Sequence, residues 1–526
     1  MSISSLADFV NVPDDFVSIQ EAIDLSFDND TVLVQPGGYF ENINFNGHNI
    51  ILGSLFLTTR DTSYITATVI NGNSSGSAVT FENAEDRNTI ITGFTIRNGF
   101  SDYGGGILCR NNSNPFITYN LITENMADGS GYPYFDGCGG GIYCNSSSPE
   151  INNNIIAGNI ADLSGGGICC ANNSNSIIIN NIIVENSGYY SAGIHCSGQS
   201  NAMISGNKII GNQASHEGGG IQINSSDALI YRNLISGNVS NEIGGGICCQ
   251  LNARPVIWNN VIVDNFTSFY AAGIYCNWNA DPVLINNTIS NNSSSYGSGI
   301  FCRGNSNPFI VNTIIWNNVA DAIYFSQFSE SSSLTIAYSS VEGGKDHIIT
   351  NGNGVVYWLE GNMNCDPLFR DPGNGDFHLT NTYCGGPYNS PCIDAGYPEL
   401  LDSLIDCDRG LGTIRSDMGA YGGGDSVGVW IDDLTYQSPK RMAISQNYPN
   451  PFNNSTVIEY QLPRQSRVTI EVYDILGRKI SSLVEKHQQS GSHQAIWNAD
   501  DFSSGVYIYR LQTAEYTESK AMLLLK

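Results

Sequence analysis

The chain has 526 residues, of which 41% are hydrophobic and 13% are charged, and it contains 57 glycines. Its formal net charge of −27 disfavours nucleic acid, an anionic membrane or a polyuronate as partner, unless calcium bridges protein and polyuronate. The sequence has no apolar run of about eighteen residues, so it predicts no transmembrane segment and indicates a turn-rich protein with a large core.

Residues 1–60 predict an N-terminal cap. Ser18 is suited to be the N-cap of a short amphipathic helix, whose apolar face would hold Ile19, Ala22, Ile23 and Phe27. The phrases SIQEAI and PGGYFENI resemble the opening of bacterial right-handed β-helix proteins and, more distantly, of pectin methylesterases. The resemblance implies a helix that covers the open first rung, and it includes none of the residues that carry esterase chemistry.

Residues 61–345 repeat one short phrase, an Ile followed two positions later by Cys. After a first interval of 35 residues, every interval is 26 or 27. A fixed period of this size predicts a repeat architecture. The repeated isoleucines are Ile107, Ile142, Ile168, Ile194, Ile221, Ile247, Ile274 and Ile300.

Each period also contains two asparagines, set among short apolar runs and turn residues. This pattern predicts an all-β fold, a right-handed parallel β-helix in which each period forms one rung. Isoleucine columns would fill the core. Asparagine columns would lie at bends, where each amide can bond to those above and below.

The cysteines form two groups. Seven occupy one column two positions after the repeated isoleucine and predict stacked, buried thiols rather than disulfides or a metal site. They are Cys109, Cys144, Cys170, Cys196, Cys249, Cys276 and Cys302. Outside the repeats, four more allow two disulfides with three possible connectivities, namely Cys365, Cys384, Cys392 and Cys407.

The position four residues before the repeated isoleucine is rich in tyrosine. Together with an insertion at residues 126–141, it predicts an outer groove for a sugar chain, because sugar rings stack on aromatic faces and their hydroxyls bond to acids. The alternative is that the tyrosines pack over the glycine-rich bend below. The candidate groove residues are Tyr132, Tyr134, Tyr190, Glu217, Tyr270 and Tyr296.

No catalytic residue is assigned from the sequence. A glycosidase needs two carboxyl groups about 5 to 9.5 Å apart. Glu124, Glu185 and Asp264 share a column but stand two and three rungs apart, roughly 10 and 14 Å. A lyase would need a base such as Lys208 or Arg232 beside a calcium-binding carboxylate cluster, and the sequence places none nearby. A polysaccharide lyase or glycoside hydrolase is therefore the alternative to binding without catalysis.

Residues 346–424 contain five short phrases that begin with NCDPLF and end with DMGAY. They resemble the choice-of-anchor Q closing module of surface β-helix proteins, which implies a C-terminal cap and a secreted or cell-surface setting. Within it, Asp371, Asn374 and Asp376 have the spacing of a small calcium loop, and a plain turn is the alternative. Calcium is the only cofactor that the sequence suggests.

Residues 425–443 read as a linker, and the alternating strands of residues 444–526 predict a small immunoglobulin-like β-sandwich. The phrases NYPNPFN, YDILGRK and SSGVYIYRL resemble the type A C-terminal sorting domain of the type IX secretion system. The motif residues are Pro449, Asn450, Pro451, Phe452, Asp474, Gly477, Arg478, Gly505, Tyr507 and Lys520.

This second resemblance implies export by the type IX secretion machinery and release or attachment at the cell surface. Such cargo normally carries a signal peptide, and residues 1–11 show neither its basic start nor its apolar segment, so we expect a truncated or wrongly assigned start. We expect an exported protein that binds glycan or an extracellular matrix partner without catalysis. A purely structural or adhesive stalk is a third reading.

Overall fold

The computed structural model describes residues 9–129, 137–402, 404–423, 442–444, 446, 447, 449–462, 466–474, 477–488, 491–500, 502–514 and 516–526. The chain divides into two compact units, Met1–Gly424 and Asp425–Lys526. The first is the predicted parallel β-helix, and the second is built from antiparallel strands.

Four parallel sheets form the wall of the solenoid, and the chain visits them in the order I, II, III, IV in the seven rungs that have a sheet III strand. Sheet I contains Phe9–Val12, Thr31–Val34, Ile51–Ser54, Ile90–Thr92, Phe116–Thr118, Glu150–Asn152, Ile177–Ile179, Met203–Ser205, Leu229–Tyr231, Val256–Trp258, Val283–Ile285, Phe309–Val311, Ser332–Ala337 and Gly354–Trp358. Sheet II contains Gly37–Phe40, Thr68–Asn71, Thr95–Arg97, Leu121–Thr123, Ile155–Ala157, Ile182–Val184, Lys208–Ile210, Leu234–Ser236, Val261–Val263, Thr288–Ser290, Ile314–Trp316 and Ser340–Val341.

The other two sheets complete the rung. Sheet III has two-residue strands, Phe100–Ser101, Met126–Ala127, Ile160–Ala161, Ser187–Gly188, Gln213–Ala214, Val239–Ser240 and Phe266–Thr267. Sheet IV includes the strands with the Ile-x-Cys phrase. It contains Ile43–Asn44, Val79–Phe81, Ile107–Arg110, Ile142–Asn145, Ile168–Ala171, Ile194–Ser197, Ile221–Asn224, Ile247–Gln250, Ile274–Cys276, Ile300–Cys302 and Ile323–Phe325.

The interior is filled as the columns predict. The repeated isoleucines and the seven column cysteines are fully buried in one continuous core. Adjacent rungs are in register, with Ile142 beside Ile168 and Cys144 beside Cys170. These cysteines remain thiols and act as small apolar side chains.

The asparagine columns form hydrogen-bonded ladders inside the bends. Asn207 illustrates them: its Oδ1 accepts from the main-chain N–H of Asn181 at 2.9 Å and from the Asn181 side chain at 3.0 Å. Its Nδ2 donates to the Ile178 carbonyl at 2.8 Å and to Oδ1 of Asn233 at 3.0 Å. Each amide therefore ties two rungs together and satisfies buried main-chain groups.

A third ladder consists of serines and was not anticipated from the sequence. The hydroxyl of each one accepts from the main-chain N–H of the serine one rung earlier, at 3.1 to 3.2 Å. Its members are Ser113, Ser147, Ser174, Ser200 and Ser226.

The predicted N-terminal helix is Ile19–Leu25, and the Ser18 hydroxyl accepts from the main-chain N–H of Glu21 at 3.2 Å. Ile19, Ala22 and Ile23 are buried, as expected. The assignment of Phe27 to the same face is wrong. The backbone becomes extended at Ser26, which leaves Phe27 outside the helix and 72% exposed. Two short helices follow, Phe56–Thr59 and Ser63–Ala67.

The module after the last rung lies against the outer side of sheet II. Its residues Phe377 and Ala420 pack on Val261 and Val263. The side chain of Asn286, on the bend before sheet II, donates to the main-chain carbonyl of Asp417 at 2.8 Å. The module contains the antiparallel pair Phe369–Asp371 and Asp376–Leu379 and the 3-10 turn Pro372–Asn374, and it follows another 3-10 turn at Lys345–His347.

One disulfide lies within this module and joins Cys384 to Cys407. Of the two bridges that the four cysteines outside the repeats allow, the structure has one, since Cys365 and Cys392 are thiols. Cys392 is fully buried beside Ser390 and Ser340, whereas Cys365 is exposed.

The second unit has two antiparallel sheets around a common core, as predicted for a small sandwich. One sheet contains Ala443–Ile444, Ser455–Leu462 and Gly491–Asn498. The other contains Lys479–Gln488, Ser466–Tyr473, Gly505–Gln512 and Thr517–Leu524.

Candidate functional site

The turn before each strand of sheet IV folds over the outer face of that sheet. We call the turn residues the turn column: Tyr103, Cys138, Ser164, Ser191, Glu217, Ile243, Tyr270 and Tyr296. The outward residues of sheet IV beneath them form the outer row: Tyr143, Cys169, His195, Gln222, Cys248, Tyr275, Phe301 and Tyr324. A turn residue covers the outer-row residue of the next rung.

Aromatic contacts show this offset directly. The ring centroids of Tyr103 and Tyr143 are 4.9 Å apart, those of Tyr270 and Phe301 are 4.8 Å apart, and those of Tyr296 and Tyr324 are 5.6 Å apart. The tyrosines thus pack on the row below, as the alternative reading proposed. Tyr270, one of the predicted groove residues, is half-buried because its ring packs on that of Phe301.

Several rings beside the turn column nevertheless reach solvent. Tyr189 is 44% exposed, Phe269 is 51% exposed and Tyr296 is 44% exposed. Tyr190 differs from the prediction, because Ser191 rather than Tyr190 takes the place next to Ser164 in the turn column. The ring of Tyr190 instead meets that of Tyr189 edge-on at 4.7 Å.

Glu217 is a buried carboxyl group at the centre of this surface. The backbone at Gly218 has a φ of +53°, and a Cβ there would lie 2.9 Å from Cβ of Gln222, so a side chain at this position would crowd Gln222. Oε2 of Glu217 accepts from the side-chain amides of Gln222 at 2.8 Å and of Gln250 at 3.0 Å. Burial raises the pKa of Glu217 above its ordinary value of 4.5.

His216 lies between two carboxyl groups. Its Nδ1 is 3.4 Å from Oε1 of Glu217, and its Nε2 is 3.1 Å from Oε2 of Glu242. The Glu242 side chain is half-exposed, so the row from Glu217 to Glu242 leads from the buried network to solvent. The rings of Tyr189 and Tyr190 both lie 5.5 Å from the His216 ring.

The network continues to a second histidine under the turn. Nδ1 of His195 is 3.2 Å from Oε1 of Gln222. Because the amide nitrogen of Gln222 already donates to Glu217, its oxygen is the acceptor, and the proton of His195 lies on Nδ1. Burial lowers the pKa of His195 to about 4, so its imidazole is neutral at physiological pH.

Sequence reasoning identified Glu217 and missed its partners His195, Gln222 and Gln250. These occur at outward positions of a strand, where alternation normally indicates solvent. A usable signal for Gln222 and Gln250 was the glycine triplet that precedes their strands, which brings the turn over those positions. Tyr132 and Tyr134 lie outside the described residues.

The predicted calcium loop forms a turn in the structure. The Asn374 amide donates to Asp371 at 2.8 Å, while Asp376 contacts Nδ1 of His378 at 2.6 Å. Within the described part of the chain, no three His, Cys, Asp or Glu side chains form a group suited to a metal ion. Calcium binding at this loop stays a prediction.

The motif residues of the second unit have structural contacts. Oδ1 of Asn450 accepts from the main-chain N–H of Leu523 at 2.9 Å, and Phe452 and Tyr507 pack around Trp497. The others hold turns and strands: Asp474 bonds to Arg478, Gly477 has a φ of +76°, Gly505 begins a strand and Lys520 pairs with Glu518. Pro449 accepts through its carbonyl, and Pro451 follows Asn450 in the same segment.

Comparison with known families agrees with this geometry. The family described as "Right handed beta helix region" matches residues 30–209, 135–287 and 265–366. The chain belongs to this right-handed β-helix family. In this β-helix protein, residues 446–524 match the family described as "Secretion system C-terminal sorting domain". The sorting domain indicates a secreted or cell-surface protein.

Comparison with solved structures finds two similar chains. Pectate lyase Pel9A is 14% identical with a TM-score of 0.39, over 79% of this chain and 96% of that one. XylC, solved in complex with xylose, is 10% identical with a TM-score of 0.39, over 94% of this chain and 100% of that one. No curated protein matches the chain. No helix among the described residues is long and apolar enough to cross a membrane.

Proposed function

We propose that this secreted β-helix protein binds a polysaccharide on the face formed by the turn column and its neighbours. The observation that carries the proposal is the exposure of Tyr189, Phe269 and Tyr296 on both sides of His216 and Glu242. Exposed rings offer flat apolar faces on which sugar rings stack, and the polar groups between them can bond to hydroxyls.

The spacing suits an extended polymer. Tyr189 precedes Phe269 by three rungs, and Tyr296 follows Phe269 by one. Rungs repeat at about 4.8 Å, so the aromatic positions extend over roughly 20 Å along the solenoid. An unbranched chain lying parallel to the axis would meet aromatic rings at both ends and polar groups in the middle.

Charge favours a neutral polymer. The protein carries a formal net charge of −27, and Glu242 adds a half-exposed carboxylate at the centre of the proposed face. A polyuronate would be repelled at low ionic strength. We therefore expect neutral polysaccharides to bind better than acidic ones.

The test is binding of the full chain to neutral and acidic polysaccharides in affinity electrophoresis. Phe269→Ala and Tyr296→Ala should each weaken binding about tenfold, which corresponds to about 1.4 kcal/mol and agrees with the usual worth of an aromatic stack. Tyr388→Ala is the control, since Tyr388 is 69% exposed but lies in the closing module. Equal losses in all three variants, or no binding across the panel, would contradict the proposal.

A polysaccharide lyase or hydrolase is the second candidate, favoured by the Glu217 network. A buried carboxyl group with a raised pKa beside an imidazole is the kind of arrangement found at acid–base sites. Release of reducing ends, with and without calcium, separates the two functions. Activity that is lost in Glu242→Gln would establish the catalytic alternative, whereas binding without any release would support the first proposal.

A further inference from the structure

Three cysteines of the repeats lie outside the inward-facing thiol column, namely Cys138, Cys169 and Cys248. Cys138 is the second member of the turn column, between Tyr103 and Ser164. Cys169 is in the outer row of sheet IV, where its strand neighbours are Tyr143 and His195. Both are thiols in the structure, and Cys138 is partly exposed while Cys169 is buried.

The offset between the two columns makes these cysteines partners. In three other rungs the turn residue stacks on the outer-row residue of the next rung, with ring centroids 4.8 to 5.6 Å apart. Ile243 packs against the cluster that contains Cys248, Tyr275 and Phe301. Applied to the rung of Ile142, the offset places Cys138 over Cys169, and the two thiols are in hydrogen-bonding contact.

This pair differs from the thiols of the core. Cys144 and Cys170 are neighbours in an in-register parallel sheet, where strands are about 4.8 Å apart, and a disulfide prefers Cβ atoms about 3.8 Å apart. They are also fully buried, so a reagent in solution does not reach them. Cys138 approaches Cys169 from a separate turn, and its partial exposure gives an oxidant access to its sulfur.

We propose that Cys138 and Cys169 form a disulfide after export, which covalently ties this turn to the next rung. The sorting domain takes the chain to an oxidising setting, where structural disulfides persist. The oxidant is a disulfide of the periplasmic or extracellular pool. The Cys138 thiolate attacks it and expels one thiol, forming a mixed disulfide. Cys169 then loses its proton, attacks the Cys138 sulfur and expels the second thiol.

The link would restrict the motion of one turn of the β-helix. Cys138 lies near the end of the insertion at residues 126–141, directly before the glycine triplet that leads to Ile142. The link closes a covalent loop from Cys138 to Cys169, which contains one complete rung. Opening of sheet IV at this rung would then require the turn and the strand to move together.

The experiment uses the purified full chain, incubated natively in a mixture of reduced and oxidised glutathione and then alkylated under denaturing conditions. Cleavage after glutamate separates the cysteines, because residues 125–150 hold Cys138 and Cys144 while residues 151–185 hold Cys169 and Cys170. Without reduction, mass spectrometry should find these two peptides joined. Before oxidation each chain should carry twelve alkylated thiols. Formation of this link should lower that number by two.

Single variants assign the link. Cys138→Ser should abolish the joined peptide, and it is compatible with the fold because Ser164 holds the equivalent place one rung later. Cys144→Ser is the matched control and should leave the joined peptide unchanged. Circular dichroism before and after oxidation checks that the native fold is kept. Separate peptides in the oxidised wild-type chain, or a joined peptide that survives Cys138→Ser, would overturn the proposal.

Discussion

Truncation of one ladder asparagine tests how the solenoid is held together. In Asn207→Ala, the main-chain N–H of Asn181 loses its acceptor and the Ile178 carbonyl loses the donor that lies 2.8 Å away. The Asn181 side chain keeps its bond to the Ile151 carbonyl at 2.8 Å, and the Asn233 oxygen keeps the main-chain N–H of residue 207. The main-chain N–H of Asn181 is therefore left unpaired, whereas the Ile178 carbonyl keeps the main-chain N–H of Ser205 in the parallel ladder of sheet I.

An unpaired buried N–H costs about 1 to 3 kcal/mol, so the variant should lose about 2 kcal/mol of local stability. The matched control is Asn201→Ala. The Oδ1 atom of Asn201 accepts from the main-chain N–H of Asp227 at 2.7 Å, but Asn201 is exposed and water can replace it. We expect the control to cost less than about 0.5 kcal/mol.

Native-state hydrogen exchange is the appropriate assay, because a solenoid opens rung by rung and a single unfolding free energy does not describe it. Amides of the rungs around Asn181 and Asn207 should exchange about thirtyfold faster in Asn207→Ala, since each 1.4 kcal/mol is a factor of ten. Amides far along the axis should be unaffected. Equal exchange in the two variants would refute the role assigned to the buried ladders.

Three further results are expected. Burial raises the pKa of Asp402 to about 7 and of Asp417 to about 8, above the ordinary 3.8. Their contribution to stability is therefore complete below pH 4 and is lost as pH rises through 7 and 8. Thermal unfolding of the wild-type chain should show a loss of stability on the order of 5 kcal/mol between pH 5 and 9. The variant Asp417→Asn should make this pH dependence weaker. Burial also raises the pKa of Glu217. The variant Glu217→Gln keeps an acceptor for the side-chain amides of Gln222 and Gln250. It should therefore stabilise the β-helix at pH 8 more than at pH 4, as measured by the midpoints of denaturant unfolding. Deletion of residues 446–524 should leave the protein in the periplasm of a host with the matching secretion system, and its detection by immunoblot in the medium or on the cell surface would contradict the sorting role.

The columns of the β-helix were predictable because a constant period fixes the register. When every interval has the same length, like residues fall in one column, and burial or hydrogen bonding of one member implies the same for its neighbours. Ile156, Ile183 and Ile209 are all fully buried, and Asn186 bonds to Asn212 at 3.0 Å as the repeat requires.

Departures from the period were not predictable. Between the strands that begin at Ile168 and Ile194 the sequence interval is 26 residues, yet Ser164 pairs with Ser191, which is 27 positions later. This one-residue shift places Tyr190 beside Tyr189 instead of in the turn column. Alignment by spacing alone assigns the wrong residue wherever a turn adjusts its length.

Contacts between distant parts of the sequence were also beyond prediction. The closing module docks on sheet II through Asn286 and Asp417, which are 131 residues apart. The local pattern around Asn286 is that of an ordinary bend. A repeat describes what each rung shares with the next, so it contains no information about a segment that packs across several rungs.

A repeat pattern also does not predict the polar network around Glu217, because the network is confined to a few rungs. Its position in those rungs bears on the proposed binding face. The outer-row positions beneath the turn column are buried, and Cys248, Tyr275 and Phe301 show that apolar or aromatic side chains fill them adequately. The fold therefore does not require polar groups at the equivalent positions of His195 and Gln222. Buried polar groups stabilise a protein less than apolar groups that pack equally well, unless every bond is made. Their concentration around Glu217, where exposed rings flank a half-exposed carboxylate, is physical support for a binding site at these rungs.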